Sequence, residues 1–316
     1  MADQSNAYKT ETIAADAAGI ARAAALIRAG QCVAVPTETV YGLACDATSG
    51  AAVARVYAAK GRPAFNPLIV HVSGTEMAES LAEIDATARA LIDRYWPGPL
   101  TLVLPLKAGA PVAALVTAGL STVALRCPDH PVAQALIAAA GVPLAAPSAN
   151  ASGRITSTRP AHVLASLDGR IPLVLDGGPT RGGLESTIVA VEGGRLHLLR
   201  EGAIPAETLG LAREAAPVAA EPSAPGQLAS HYAPRQPVRL DAARAEADEY
   251  LIGFGAVAGD LNLSASGDLG EAAARLFDAL HQAEASGKAR IAVAPIPEKG
   301  LGRAINDRLR RAAAPR

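Results

Sequence analysis

Polar side chains that could bind a ligand occur first in residues 36–43, directly after a predicted buried strand. In this segment Thr37 and Thr39 flank Glu38, so two hydroxyls and a carboxylate lie within one turn. Loop residues on a rigid support often carry function, and this turn could hold a polar molecule. A polar turn built around Gly42 is the structural alternative.

Two cations, Lys60 and Arg62, flank Gly61 at the end of a predicted helix. Cations at that end suit the helix dipole, which is the structural interpretation. The functional interpretation is a clamp for phosphate oxygens, with arginine as a planar fork and lysine as a point charge. Nearby, Asn66 can donate and accept hydrogen bonds. His71 lies in an apolar strand, where a histidine is more often a core residue than a catalyst.

A third candidate, Arg126, lies on the predicted strand 121–127. Strand alternation places it on the same face as Thr122, while Val123 and Leu125 occupy the other face. An arginine buried in such a strand needs an anionic partner. The sequence leaves two partners open, a carboxylate of the protein or the carboxylate of a substrate.

Small hydroxyl and amide residues gather in residues 147–153, where Ser148 and Asn150 follow another predicted strand. A turn of this kind exposes backbone N–H groups and can bind an anion. Two further segments, one around Ser186 and one around Arg200, are weak signals when each is taken alone.

Several common signatures are missing from the chain. It has no P-loop, no complete dinucleotide-binding fingerprint and no Gly-x-Ser-x-Gly elbow, and its six histidines are scattered. If the protein binds ATP, it does so without the sequence signatures of the common nucleotide-binding folds.

The composition is that of a neutral globular protein. Half of the 316 residues are apolar but only 3% are aromatic, so a large core must be built from Ala, Val, Leu and Ile. A net charge of −1 without a basic stripe argues against a dedicated RNA-binding protein. The sequence shows no secretory signal, no convincing membrane span and no paired cysteines, which predicts a cytoplasmic protein without membrane association.

Helical and strand patterns alternate irregularly, which predicts an α/β fold with a mixed, twisted sheet. One long amphipathic helix is predicted over residues 75–95. Prolines gather in residues 214–237, which predicts a semi-rigid linker. The predicted domains are therefore residues 1–213, this linker, and a smaller Rossmann-like α/β unit over residues 238–316.

Taken in order, five segments closely resemble the L-threonylcarbamoyladenylate synthases, the YrdC-like superfamily. They are residues 37–42, 60–68, 96–99, 147–150 and 185–187. The resemblance extends over residues 15–210, and the linker with His231 and Tyr232 looks like that of the long, two-domain form. One departure is the Thr-Ser-Thr run that begins at Thr156, where the family often has Ser-Pro-Thr; Thr156 keeps a hydroxyl there.

The resemblance implies a YrdC-like α/β fold and the formation of threonylcarbamoyl-AMP and pyrophosphate from L-threonine, bicarbonate or CO2, and ATP. Catalysis would depend on Lys60 and Arg62, and Mg²⁺ would accompany ATP. The threonine-binding residues would be Thr37, Thr39, His71, Arg126, Ala146 and Ser186. The ATP-binding residues would be Arg62, Asn66, Thr122, Ser148, Asn150, Thr156, Arg200, His231 and Tyr232.

The implied partners are the substrates and a tRNA threonylcarbamoyl transferase complex, which would take the product for threonylcarbamoyladenosine modification of tRNA, with at most a weak contact to tRNA itself. Two alternatives remain at this stage. One is a double-stranded RNA-binding or ribosome-maturation factor without catalysis. The other is a synthase of plain carbamoyl-AMP, which would not need Arg126 for an amino-acid carboxylate. For the linker, the ring pair His231 and Tyr232 between prolines predicts a lid over the cleft.

Overall fold

The computed structural model describes residues 8–63, 65–211 and 231–315. These residues form two α/β units, each built around its own sheet. The strands of the large sheet are β1 (Glu11–Ala14), β2 (Val33–Val35), β3 (Gly42–Asp46), β4 (Ile69–His71), β5 (Leu100–Pro105), β6 (Thr122–Arg126), β7 (Leu144–Ala145), β8 (Leu173–Asp176), β9 (Thr187–Glu192) and β10 (Arg195–Arg200).

The helices of this first unit alternate with its strands. They are α1 (Ala17–Arg28), α2 (Gly50–Lys60), α3 (Thr75–Leu81), α4 (Ala86–Tyr95), α5 (Ala114–Thr117), α6 (Pro131–Ala140) and α7 (Pro160–Leu167), and a short 3-10 helix follows at Ala206–Leu209.

The strands of the large sheet lie in the order β1-β8-β2-β3-β7-β4-β6-β5-β9-β10. The sheet mixes parallel pairs, such as β4 with β6, and antiparallel pairs, such as β3 with β7. The predicted mixed sheet of the YrdC-like type is confirmed. In its middle, the last residues of β4 and β6, His71 and Arg126, are paired in register.

Both ends of helix α2 are set by residues next to them in the chain. The Ser49 hydroxyl accepts a hydrogen bond from the Ala52 N–H at the start of α2, and Gly61 ends that helix in the left-handed conformation, with φ of 60°. This end places Lys60 in the last turn of the helix and Arg62 just beyond it.

The prediction of one helix over residues 75–95 is wrong. The helix stops at Leu81, Ala82 adopts an extended conformation and forms a bridge with Leu106, and α4 then begins after Asp85. The Asp85 carboxylate accepts a hydrogen bond from the Ala88 N–H at 2.8 Å. Periodicity continues across this break because both helices turn their apolar sides to the same core, whereas the cap that restarts the helix is a local feature.

The two faces of the large sheet differ in the way that strand alternation predicts. Val123 and Leu125 lie in the main core with the helices, while Ala124 lies on the other face with Ile69 and Ile188. The second face is the one on which His71 and Arg126 also lie, because alternate residues of a strand share a face.

The second unit contains β11 (Val238–Arg239), β12 (Glu249–Gly253), β13 (Leu261–Asn262), β14 (Arg290–Val293), α8 (Leu269–Ala285) and α9 (Leu301–Ala313). Its strands are all parallel, in the order β11-β14-β12-β13, and the predicted small α/β unit is confirmed. The core of this unit also includes Val40, Ile155 and Leu184 of the first unit, so the two units share one apolar interface.

Most of the predicted linker, residues 214–237, lies outside the described residues, and its boundaries stay a prediction. The uncharged stretch 108–125 consists of loop, the short helix α5 and part of β6. Across the three described ranges, no helix combines the length and the apolar character that crossing a membrane requires.

Candidate functional site

A cleft lies on the second face of the large sheet, near its middle. Its walls come from the loop after β2, the ends of β4, β6 and β10, the turn after β7 and the residues before β9. The side chains and backbone that line it belong to Thr37, Val40, Gly42, Arg62, Ile69, His71, Arg126, Ala146, Pro147, Ser148, Glu185, Ser186, Arg200, His231 and Tyr232.

One part of the cleft, the strand-end group, consists of Thr37, His71, Arg126 and the carboxylate behind Arg126. That carboxylate belongs to Glu38, whose Oε1 lies 2.6 Å from Nη2 of Arg126. Both side chains are buried, and the Arg126 Nε–H donates to the Gly98 carbonyl oxygen at 3.3 Å. Of the two anionic partners that the sequence left open, a carboxylate of the protein is therefore present.

The Arg126–Glu38 contact is short, but it is not a well-aligned hydrogen bond. Within the described part of the chain, neither Glu38 oxygen nor Nη2 of Arg126 has a hydrogen-bond partner. The pair is therefore a charge contact with hydrogen-bonding capacity remaining on the arginine. Such capacity lets an arginine that lines a cleft also bind the carboxylate of a small molecule.

The His71 imidazole is neutral at ordinary pH. Burial, with the Arg126 charge as the next cause, lowers its pKa to about 3. The Leu144 backbone lies close, but neither ring nitrogen of His71 reaches hydrogen-bond geometry with a described residue. A neutral imidazole offers one donor and one acceptor, which suits a ligand hydroxyl or amine better than proton transfer near pH 7.

Hydroxyl groups in the cleft are held by other hydroxyls and by backbone. Thr37 Oγ1 donates to the Val40 carbonyl oxygen at 2.7 Å and lies 2.8 Å from Thr39 Oγ1. Ser186 Oγ lies 2.7 Å from Thr101 Oγ1 on the neighbouring strand β5. These bonds orient Thr37 and Ser186 before any ligand binds.

The second part of the cleft, the cation group, consists of Lys60, Arg62 and Arg200. Arg62 donates to the carbonyl oxygens of Asn66 and Pro67 at 3.3 and 3.0 Å, and burial lowers its pKa to about 10, so it stays charged at pH 7. Arg200 donates to the Ser186 carbonyl oxygen at 2.8 Å and to its hydroxyl at 3.1 Å. Burial also lowers the pKa of Arg200.

Lys60 is the buried member of this group and does not line the cleft. Its Nζ donates to the carbonyl oxygens of Ser148 and Asn150, each at 2.5 Å. Burial, with the Arg62 charge as a smaller cause, lowers the pKa of Lys60 well below its ordinary range. Lys60 thus holds the turn after β7 from behind, and two of its three donors are used for this.

Six of the predicted site residues do not line the cleft, and Lys60 is one of them. Of the others, Thr39 supports Thr37, and Thr122 lies at the start of β6, half-buried opposite Pro105. Thr156 donates to Glu185 Oε1 at 3.0 Å.

Asn66 and Asn150 are buried near the cation group, and both keep unused hydrogen-bonding atoms. The Asn66 amide has no partner for its nitrogen or its oxygen among the described residues, and the same holds for Oδ1 of Asn150. Polar atoms buried in this way are usually satisfied by a ligand or water, which marks these two amides as further candidates for ligand contact.

The predicted residues that line the cleft are Thr37, Arg62, His71, Arg126, Ala146, Ser148, Ser186, Arg200, His231 and Tyr232. Sequence reasoning overlooked Glu38 and Glu185 as site residues, although both lie inside segments that it singled out. It also overlooked Arg308 of α9, which carries no local signal, because an arginine in an amphipathic helix is usually a solvent-exposed residue.

His231 and Tyr232 form a roof over the cation group. Tyr232 is buried, with a positive φ of 62°, and its ring lies 5.5 Å from the Phe277 ring and 4.1 Å from the His231 ring, centroid to centroid. Burial lowers the pKa of His231 to about 3, and the charges of Arg62 and Lys60 act in the same direction. Burial, helped by the neighbouring cations, therefore keeps His231 neutral at pH 7.

No group of three or more His, Cys, Asp or Glu residues that could hold a metal ion is found in residues 8–63, 65–211 and 231–315. The two cleft carboxylates, Glu38 and Glu185, are each occupied by an arginine. With its carboxylates paired to arginines, the cleft suits a metal ion that is bound mainly by the phosphates of a ligand, rather than one bound by protein side chains alone.

Comparison with known proteins gives consistent matches for both units. The family model Sua5–YciO–YrdC, described as telomere recombination, matches residues 25–202, and a model described as the C-terminal domain of threonylcarbamoyl-AMP synthase matches residues 201–314. A threonylcarbamoyl-AMP synthase of Bacillus subtilis is 39% identical over 97% of this chain and 96% of its own length.

A second relative with that name, from Pyrococcus abyssi, is 40% identical over 92% of this chain and 93% of its own length. Among solved structures, P. abyssi Sua5 in complex with L-threonine superposes with a TM-score of 0.87 at 37% identity, covering 96% of each chain.

Proposed function

This chain belongs to the Sua5/YrdC family and is a threonylcarbamoyl-AMP synthase, and we propose that its cleft binds L-threonine at the strand-end group and ATP at the cation group. The single observation that carries this assignment is the arrangement of one continuous cleft with two different ends. One end holds a charge-paired arginine, a neutral histidine and oriented hydroxyls, and the other holds cations.

L-Threonine offers a carboxylate, an amine and a hydroxyl, and the strand-end group offers a partner for each. Arg126 binds the carboxylate through its remaining donors, and His71 and the oriented hydroxyls of Thr37 and Ser186 bind the polar atoms of the side chain and the amine. The solved P. abyssi relative in complex with L-threonine supports L-threonine as a ligand of this chain.

ATP would lie with its phosphates at Arg62 and Arg200 and against the turn that contains Ser148. Lys60 acts from behind, since its bonds to the Ser148 and Asn150 carbonyls set the shape of that turn. The unused atoms of Asn66 and Asn150 provide further contacts. When bound with ATP, Mg²⁺ would supply further neutralisation of phosphate charge.

The reaction needs little covalent help from the protein. The threonine amine adds to CO2, which bicarbonate supplies with loss of hydroxide, and gives a carbamate after losing a proton. A carbamate oxygen then attacks the α-phosphorus of ATP, and the bond to the β-phosphate oxygen breaks, so pyrophosphate leaves. Arg62 and Arg200 stabilise the growing negative charge, and the fixed cleft holds the carbamate and the phosphate in line.

The product is a mixed anhydride that water destroys, so the cleft must exclude water. The roof of His231 and Tyr232 serves this purpose and is the described end of the lid predicted for residues 223–237, of which residues 223–230 lie outside the described residues. The product would pass to a tRNA threonylcarbamoyl transferase complex in the cytoplasm, for modification of tRNA.

The direct test is pyrophosphate release from ATP, measured with and without L-threonine and bicarbonate. Release should require both, and L-alanine, which lacks the hydroxyl, should support it poorly. Cleavage of ATP at the same rate with neither co-substrate would refute the proposed function. A double-stranded RNA-binding factor would instead show RNA affinity that falls steeply with salt, and no dependence on threonine.

A further inference from the structure

The second unit places one arginine of α9, Arg308, completely inside the molecule. Its Nε–H donates to Glu185 Oε2 at 3.1 Å, and its Nη1 donates to Asp307 Oδ2 at 3.0 Å. The guanidinium also lies over the Tyr232 ring, 5.4 Å from the ring centroid. Arg308 therefore touches one wall residue and one roof residue of the cleft, although it comes from the other unit.

Its partner Glu185 is a negative charge in the cleft wall. The residue is 7% exposed, lines the cleft, and accepts a hydrogen bond from Thr156 at its other oxygen. The next residue in the chain, Ser186, receives the Arg200 guanidinium at its carbonyl oxygen and its hydroxyl. An uncompensated carboxylate at this point would repel phosphate groups and would attract Arg200 away from them.

A buried charge that loses its partner is costly, so Glu185 needs a cation. Arg308 provides that cation from behind the wall, and its guanidinium over the Tyr232 ring helps to hold that ring in place.

We propose that Arg308 is a positioning residue of the nucleotide site, contributed by the second unit. It neutralises Glu185 and supports Tyr232, so that no uncompensated carboxylate faces the phosphates of ATP. The inference rests on the proposed binding of ATP in this cleft. It gives the second unit a direct part in building the site.

Another arginine of the same helix provides a matched control. Arg303 also crosses between the units, pairing with Glu201 at 3.2 Å and contacting Glu207, but it does not touch Glu185 or Tyr232. If the only role of α9 is to join the two units, Arg303→Met and Arg308→Met should have the same effect on nucleotide binding.

The experiment compares the full chain with Arg308→Met, Glu185→Gln, the double variant and Arg303→Met. The affinity for a non-hydrolysable ATP analogue is measured by titration calorimetry, and KM and kcat are measured by pyrophosphate release. Arg308→Met should weaken binding of the analogue by roughly 10- to 100-fold, and Arg303→Met should leave it within about threefold. The double variant should recover most of the loss, because it removes the unpaired charge.

Recovery would show that the loss comes from the uncompensated Glu185 charge, because the two members of a buried ion pair do not act additively. A loss of analogue affinity in Arg308→Met that Arg303→Met does not share is the result that a merely structural role would not give. Unchanged affinity in Arg308→Met overturns the proposal, and so does a double variant that binds no better than Arg308→Met. If Arg308→Met does not fold, Arg308→Lys, which keeps the charge, must bind the analogue within about tenfold of the wild type for the proposal to stand. Synthesis of threonylcarbamoyl-AMP by the wild-type protein tests the proposed function separately. A wild-type protein that binds no ATP analogue would overturn both the proposed function and the proposed role of Arg308.

Discussion

The strand-end group and the cation group lie in one cleft, but their charges are arranged differently. In the strand-end group the positive charge of Arg126 faces Glu38 of the same unit, and His71 is neutral. In the cation group, Lys60 and Arg62 bond to backbone carbonyls, and the Glu185 carboxylate, which acts electrostatically on Arg200, is paired with Arg308.

This difference matches the two ligands. A zwitterionic amino acid carries no net charge and needs a balanced site, whereas a triphosphate needs an excess of cations in a partly dry cleft. The cation group also depends on residues beyond the first sheet, namely His231, Tyr232 and Arg308. The part of the cleft that has an excess of positive charge is thus the part that requires the second unit.

The largest effect should come from Arg62→Ala, which removes a cation of the cation group while leaving the core intact. We expect kcat/KM for ATP to fall by roughly 100- to 1,000-fold, about 3 kcal/mol, and threonine affinity to change little. Pyrophosphate release at varied ATP measures this. Arg55→Ala, which removes an exposed arginine of the preceding helix α2, is the control and should stay near wild-type activity. Near-wild-type turnover in Arg62→Ala would remove that residue from the phosphate site.

A smaller and more selective effect is expected for Arg126→Lys. Lysine keeps the charge beside Glu38 but lacks the planar fork, so KM for threonine should rise by roughly 10- to 30-fold, while KM for ATP changes much less. The two KM values are measured on one preparation. Equal changes in both would mean that the two groups are not independent, and an unchanged threonine KM would give Arg126 a purely structural role.

The neutrality of His71 predicts a pH effect on stability. Its pKa is about 3 in the folded protein and near 6.5 in the unfolded chain, so between these values the unfolded state binds the extra proton. The unfolding free energy should therefore fall as pH drops below about 6.5. At pH 5 this one residue should account for about 2 kcal/mol of the loss.

The measurement compares denaturant unfolding of wild type and His71→Gln at pH 7 and pH 5. Because His231 and His281 share the same direction of shift, only the difference between the two proteins reports on His71. His71→Gln should lose less stability on acidification than the wild type does. Equal losses would show that His71 is not held in its neutral form by the fold.

The smallest expected effect concerns the roof. Limited proteolysis within residues 223–237 should slow by a few-fold when ATP and L-threonine are both bound, because a closed lid is a poorer protease substrate. Threonine alone should give little protection, since the roof covers the cation group. Cleavage at the same rate with and without substrates would contradict the lid.

Much of the architecture could be predicted from local sequence. The helix that ends at Gly61 and the strand around Arg126 were predicted from periodicity, caps and apolar runs, and these depend on neighbours along the chain. The predicted division of faces on β6 is correct because alternation is a property of any strand. The strand β3 was missed, since Gly42 and the preceding polar residues are typical of a turn.

The sequence by itself determined most of the element types, the two-unit organisation and, through the order of its segments, the family and most of the residues that face the cleft. Only the tertiary structure decided which charges meet: Glu38 with Arg126, and Glu185 with Arg308, 123 positions further along the chain. The physical reason is that helices and strands form from hydrogen bonds and side-chain patterns within a few residues, whereas buried ion pairs form where distant segments cross. No local pattern distinguishes an arginine that will be exposed from one that, like Arg308, will be enclosed against a carboxylate of another unit.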